Sequence, residues 1–291
     1  MNTFKEIFDL SVIIIEVLVA VAAIIIVLRR KAKGNKYHRN PIGFKLSRAK
    51  QRAVNFGAIL TEMNHEFCDS LRAVTFGAMQ SPKRSLKEWW GISSKADAEE
   101  ALESLKNIGH RQMFNVILLN AEESLSREPS FEDFLTAYKR SGLPIIDEEI
   151  SKQYGRESSL SEMYINTKYN AYVKYANNLR QTLDKLRSRG FAGELKELSR
   201  INAAAWDMGR MVNVAKWCYT CGYITEDKAW EYIFFAEKES LHYTDWAAFS
   251  NAYLVGRALW GGDNELLDVA MNVVDGLLKD KESPWKQMAL R

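Results

Sequence analysis

Residues 10–28 read LSVIIIEVLVAVAAIIIVL, an apolar run broken only by Glu16. At about 1.5 Å per residue a helix of this run reaches about 28 Å, enough for a hydrocarbon core of about 30 Å. The run ends in Arg29, Arg30 and Lys31, a stop rather than the small-residue cleavage site of a secretory signal, and its A-x-A string (Ala20-Val21-Ala22) lies inside it. The pattern predicts one uncleaved transmembrane helix.

Beyond the tether, apolar positions recur at helical rather than alternating spacing, which predicts an all-α fold: a single compact multi-helix domain behind one N-terminal span. Residues 42–79 read as one long helix or two. Ser94 caps a helix to about residue 108, Gly109 punctuates, and a second helix covers 110–123. Ser130 opens another, closed by Gly142-Leu143-Pro144. Residues 145–160 read as a loop and 161–187 as a polar, exposed helix. Three well-punctuated helices follow: 199–220 ended by Gly222, one capped by Thr225, and one capped by Thr244 that ends at Gly261-Gly262. Asp263 opens a last helix to about Lys279. The chain thus divides into a tail (1–9), the span (10–28), a tether (29–41), a helical domain (42–284, with room for a sub-boundary near 190) and a C-terminal tail (285–291).

Two of these helices have unusual faces. On a 100° wheel Ile201, Ala205, Met208, Val212, Ala215 and Tyr219 form one stripe, and Trp206, Arg210, Asn213 and Trp217 lie nearly opposite. A helix apolar on both sides is surrounded by protein. The 244–260 helix puts Trp246, Phe249, Tyr253, Gly256, Arg257 and Trp260 on one face. An arginine in an aromatic stripe needs a partner, since an unpaired buried charge costs several kcal/mol. Asp207 is the natural one, either for Arg210 at i+3 or for Arg257 across the helices. The other reading is an arginine-lined pocket for an anionic group, framed by tryptophans.

Composition narrows the class. With 47% hydrophobic and 26% charged residues and three cysteines, the chain is not collagen-like, low-complexity or disulfide-stapled. The formal net charge of +3 is unevenly placed. Residues 1–28 carry Lys5 against Glu6, Asp9 and Glu16, while 29–41 carry six bases and no acid, so the remaining domain is near neutral. Basic flanks stay cytoplasmic, which puts the N-terminus out and the large domain in, at the inner (plasma) membrane of a bacterium. The same cations can attract anionic headgroups of the bilayer. Glu16 is either a contact for self-association through the span or a protonated, shallowly placed side chain. A near-neutral domain lacks the basic track that nucleic acid needs.

Three blocks of residues resemble a bacterial family. They are Trp89-Trp90-Gly91-Ile92 with Gly109-His110-Arg111-x-x-Phe114; Ala205-Trp206-Asp207-Met208-Gly209-Arg210 with Gly222-Tyr223-Ile224 and Ala229-Trp230; and Trp246 with Tyr253-x-x-Gly256-Arg257-x-x-Trp260. Over roughly 86–261 they are similar to domain-of-unknown-function family 1266. The resemblance implies a shared helical domain in which the blocks converge, and no chemistry; the span is not part of the family pattern.

The candidate pocket is therefore His110, Arg111, Trp206, Asp207, Arg210, Trp246, Arg257 and Trp260. His110-Arg111 starts a helix whose free N–H groups can hold an anion, and with Asp207 and the arginines it offers acid/base and anion-binding groups. The plainer reading is that His110 packs or caps its own helix. Cys218-Tyr-Thr-Cys221 has redox or zinc spacing, but it sits at a helix C-terminus, where the dipole disfavours thiolate, and lacks a second ligand pair. Buried small residues are expected there. His65-Glu66 leads to Phe67-Cys68-Asp69, so no H-E-x-x-H pattern forms. No cofactor and no metal are expected. The reading is a membrane-anchored cytoplasmic interaction module with a protein partner or an anionic ligand, accessory or immunity-like. The alternative is an enzyme acting on an anionic small molecule through the His/Asp/Arg pocket.

Overall fold

Capping side chains decide where most helices begin. A computed structural model describes residues 37–40, 45–73, 81–145, 152 and 159–291, and every element in them is helical. The expected span with Glu16, and Arg29, Arg30 and Lys31 of the tether, lie outside the described residues; so does most of the expected loop at 145–160. Among the described residues no helix is long and apolar enough to cross a membrane.

The order is α1 (Arg48–Asn55), α2 (Ala58–Met63), α3 (Pro82–Trp90), α4 (Lys95–Asn107), α5 (Arg111–Leu119), α6 (Ala121–Ser126) and α7 (Phe131–Ser141). Then come α8 (Ser159–Ser188), α9 (Leu195–Leu198), α10 (Ala204–Thr220), α11 (Glu226–Ser240), α12 (Trp246–Gly261), α13 (Glu265–Lys279) and α14 (Pro284–Gln287). Ser94 and Asp97 exchange side-chain and backbone bonds in a capping box on α4, and Ser130 and Asp133 do the same on α7. Thr225 caps α11 as expected. Two caps fall one residue later than the sequence suggests. Asp245, not Thr244, receives the Ala248 N–H at 2.8 Å, a charge-assisted bond that a hydroxyl does not match. Asn264, not Asp263, caps α13, because Asp263 is drawn off to Lys185.

Tertiary packing decides one open expectation and breaks another. Of the one or two helices expected over 42–79, the described residues hold two, α1 and α2, which part at Gly57, where α10 presses in. A Cβ on Gly57 would lie 2.7 Å from both Val212 Cγ1 and Asn213 Nδ2, and Asn213 Nδ2 donates to the Gly57 carbonyl at 2.8 Å. The 110–123 helix divides at Asn120, whose side-chain amide donates to the Val116 carbonyl at 2.8 Å and competes with the helical ladder. The helix expected to be polar and exposed is not free either. Tyr172, Ala176, Leu179, Leu183 and Leu186 of α8 are buried at three- and four-residue spacing; α8 packs on α12, while Tyr172 meets Ser124 of α6 and Phe134 of α7.

At the centre lies α10. Every residue from Ala204 to Cys218 is buried, and it packs against α2, α3, α4, α5, α11 and α12. Its contact with α12 is antiparallel and rests on two glycines. A Cβ on Gly256 would meet Trp206 Cβ at 2.5 Å, and one on Gly209 would meet the Tyr253 ring at 2.8 Å. Each helix thus offers a bare stretch of backbone to the other's large aromatic.

Residues 285–291, expected as a tail, complete the core. Trp285 stacks on Trp246 at 4.9 Å and 2°, and its indole N–H donates to the Asn55 carbonyl at 2.8 Å. The buried apolar cluster runs from Tyr37 to Leu290 and joins residues on both sides of position 190.

Candidate functional site

Four of the predicted residues, His110, Arg111, Asp207 and Arg210, meet where α5 begins against α10. Gly109 closes α4 with φ +60, donating its N–H to the Ser104 carbonyl at 2.8 Å. A side chain there would be strained and would strike Asp207, whose Oδ2 lies 2.0 Å from the position of a Cβ. Asp207 enters from the first turn of α10 and is 0% exposed. Its Oδ2 accepts the Arg111 backbone N–H at 2.8 Å and approaches Arg111 Nη1 at 3.4 Å. Its Oδ1 accepts Arg210 Nη2 at 2.7 Å. The anion expected at the start of α5 is therefore the protein's own carboxylate.

The surrounding cations are placed with equal economy. Arg111 spends its other donors on the end of α4, at 2.6 Å from the Leu105 carbonyl and 2.7 Å from that of Lys106. Arg210 also donates to His110 Nδ1 at 2.9 Å and, through Nε, to the Trp206 carbonyl at 3.3 Å. Its guanidinium lies over the rings of Trp206 (4.4 Å) and Trp90 (5.1 Å). An arginine can only donate, so His110 Nδ1 is the acceptor and its proton sits on Nε2. Burial first, then the charge of Arg210, push the His110 pKa down to about 4, against the pull of Asp207.

Arg257 and Asp207 do not pair. Arg257 Nη2 donates to Asn264 Oδ1 at 2.9 Å, and its guanidinium packs over Trp260 at 5.3 Å. Burial, with Arg210 nearby, lowers the pKa of its guanidinium. Trp206, Arg210, Arg257 and Trp260 do gather, with the Trp206 and Trp260 rings 5.9 Å apart. Trp246 does not join them: fourteen residues up α12, or about 21 Å of helix, it packs on Phe56 and Trp285 and donates to the Met288 carbonyl at 2.8 Å.

The cysteines follow the plain reading: Cys218 is buried and its thiol is pushed up to about 12, Cys221 is half-buried, and neither is bonded to the other. Among the described residues no group of ligating side chains has the makings of a metal site. The open polar groove of about 310 Å³ beside α5 shares only Arg111 with the predicted set; Asn115, Asn202, Glu239 and His242 also line it.

One polar group escaped sequence reasoning. Lys216, 1% exposed, lies 3.6 Å from Glu66 and donates to the Thr61 hydroxyl at 3.2 Å. Trp217 gives its indole N–H to the other Glu66 oxygen at 2.5 Å. Burial raises the Glu66 pKa, opposed by Lys216 and then by the Trp217 bond. Its only trace in the sequence was a lysine on a helix otherwise nearly free of charge.

An all-α domain, built round one wholly buried helix and fastened by a carboxylate shared between two arginines, is the class that fold and site define. The chain belongs to the family described as Protein of unknown function (DUF1266), whose model matches residues 85–290. The match takes in all three blocks and continues through α13 and α14. No curated protein and no solved structure matches the chain.

Proposed function

We propose that this chain is a membrane-tethered binding domain rather than an enzyme, held on the cytoplasmic side of a bacterial inner membrane by residues 10–28 and the cations that follow them. The observation that carries the non-catalytic reading is the saturation of Asp207: 0% exposed, with both oxygens taken by Arg111 and Arg210. A general acid or base must reach a proton of its substrate. This carboxylate is spent on joining α5 to α10, and Arg210 holds the Nδ1 of His110 in the same clasp. What speaks for a partner is chiefly Trp89, 62% exposed at the end of α3 and next to Trp90 of the clasp.

Affinity capture of the detergent-solubilised full-length chain, read by mass spectrometry for proteins and small molecules, tests the binding reading. A retained partner or an unaltered small molecule is the expected result. Turnover of a metabolite that disappears in His110→Ala, with the fold intact, would establish the enzyme alternative instead. For the anchor, a reporter active only outside the cytoplasm and fused to the C-terminus is expected to stay silent; activity there would reverse the topology.

A further inference from the structure

Three buried hydrogen-bond donors at the α10–α12 contact have no acceptor among the described residues: Trp206 Nε1, Tyr253 Oη and Arg257 Nη1. Their residues are 4%, 1% and 4% exposed, so bulk solvent does not reach them. Chance does not group orphans this way. The Trp206 and Tyr253 rings lie 5.1 Å apart, and Tyr253 feels the charges of both Arg210 and Arg257. A buried donor left without a partner costs about 1–3 kcal/mol, and more when it is charged, so three on one helix contact call for an explanation.

Charge gives the same answer. Asp207 is held by Arg111 and Arg210, His110 is neutral, and Arg111 opens onto the groove beside α5. Among the described residues Arg257 is thus left buried with no carboxylate partner. Its one side-chain acceptor is the neutral amide of Asn264, which leaves the cost of desolvating the charge unmet. The backbone has been cleared for it, too: a Cβ on Gly261 would lie 1.9 Å from Arg257 Nη1.

We propose that the junction of Trp206, Arg210, Tyr253 and Arg257 is a binding site for a phosphate-type dianion, taken either as free phosphate or as the phosphate head of a lipid. An indole N–H, a phenol O–H and a guanidinium N–H supply three donors for its oxygens, and a second guanidinium, that of Arg210, lies 4.4 Å over the Trp206 ring. A phosphate monoester carries close to two negative charges at neutral pH, enough to compensate Arg257. The site deepens the binding-domain reading and rests on it.

Thermal unfolding of the full-length protein in detergent, titrated with inorganic phosphate against chloride at matched ionic strength, tests the site. A second arm uses a water-soluble short-chain phosphatidic acid. Wild-type protein is expected to gain roughly 5 to 10 °C in Tm at a hundredfold excess over Kd. Tyr253→Phe deletes one hydroxyl that has no partner among the described residues, so it should leave the anion-free Tm unchanged or higher and weaken binding about tenfold or more. Arg257→Met should lose the protection. Protection by phosphate assigns free phosphate, and protection by the phosphatidic acid alone assigns a lipid headgroup. No protection in either arm overturns the site, as does equal protection of wild type and both variants, which would be the general stabilising effect of phosphate salts. Either failure with partner capture intact would leave the binding-domain reading standing; His110-dependent turnover of a bound phosphate compound would end that reading instead.

Discussion

Asp207 receives donors from two segments far apart in the chain, and removing it would strand both arginines in a desolvated place. Asp207→Ala should therefore cost about 3–5 kcal/mol, read as a lower urea midpoint at unchanged m-value. His110 makes stability depend on pH. Its folded-state pKa of about 4 lies below the ordinary imidazole value of 6.5, so between those values the unfolded chain holds a proton that the folded chain lacks. Stability is then full above about 6.5 and declines as pH falls through that window. His110→Gln, which keeps an acceptor for Arg210 without a titrating ring, should flatten the slope between about pH 6.5 and pH 5, above the range where carboxylates add their own. A slope unchanged in that variant would mean that another group titrates. Cys218 should resist alkylation at pH 8, because its thiol is held near 12. Sequence named His110, Arg111, Asp207 and Arg210 as a group, since charges on an otherwise apolar helix stand out. It left open whether Arg210 or Arg257 was Asp207's partner, for that depends on how α10 and α12 are phased against each other.

At the scale of elements, the tightest constraint is the α10–α12 contact. Gly256→Ala and Gly209→Ala each improve helix propensity by about 1 kcal/mol, yet each puts a Cβ into an aromatic side chain, at 2.5 Å from Trp206 Cβ and 2.8 Å from Tyr253 Cε2. Overpacking of this kind costs about 1–3 kcal/mol, and Trp206 Cβ, next to its own backbone, has little room to yield. Both variants should lower the urea midpoint, Gly256→Ala the more; a stabilised Gly256→Ala would show that the helices can slide apart. Helix ends were legible wherever a local cap decides them, as at Ser94, Ser130 and Thr225. They were missed or left open where something distant intervenes: Lys185 takes Asp263 away from α13, and α10 decides at Gly57 that the open choice of one helix or two falls to two.

Across the whole molecule, the last seven residues matter more than their position suggests. Trp285 is 3% exposed, stacks on Trp246 and bonds to Asn55, tying α14 to α12 and α1 at once. Trp285→Ala should cost about 3–5 kcal/mol, and a chain ending at residue 284 should unfold several degrees lower in a thermal scan. If that truncation melts like the full chain, the stack contributes nothing.

Sequence by itself determined the helical class, the central helix apolar on both sides, the near-neutral domain behind a basic tether, and the family blocks. These follow from periodicity, capping and charge, which act within a few residues. Only the tertiary structure decided that Asp207 fills the start of α5, that Trp246 belongs with Trp285 rather than with the arginines, and that α8 buries a stripe and packs on α12. It alone showed three donors without an acceptor among the described residues. Hydrogen-bond satisfaction and close approach are properties of pairs brought together by folding, and no spacing along one chain encodes which groups will be left over.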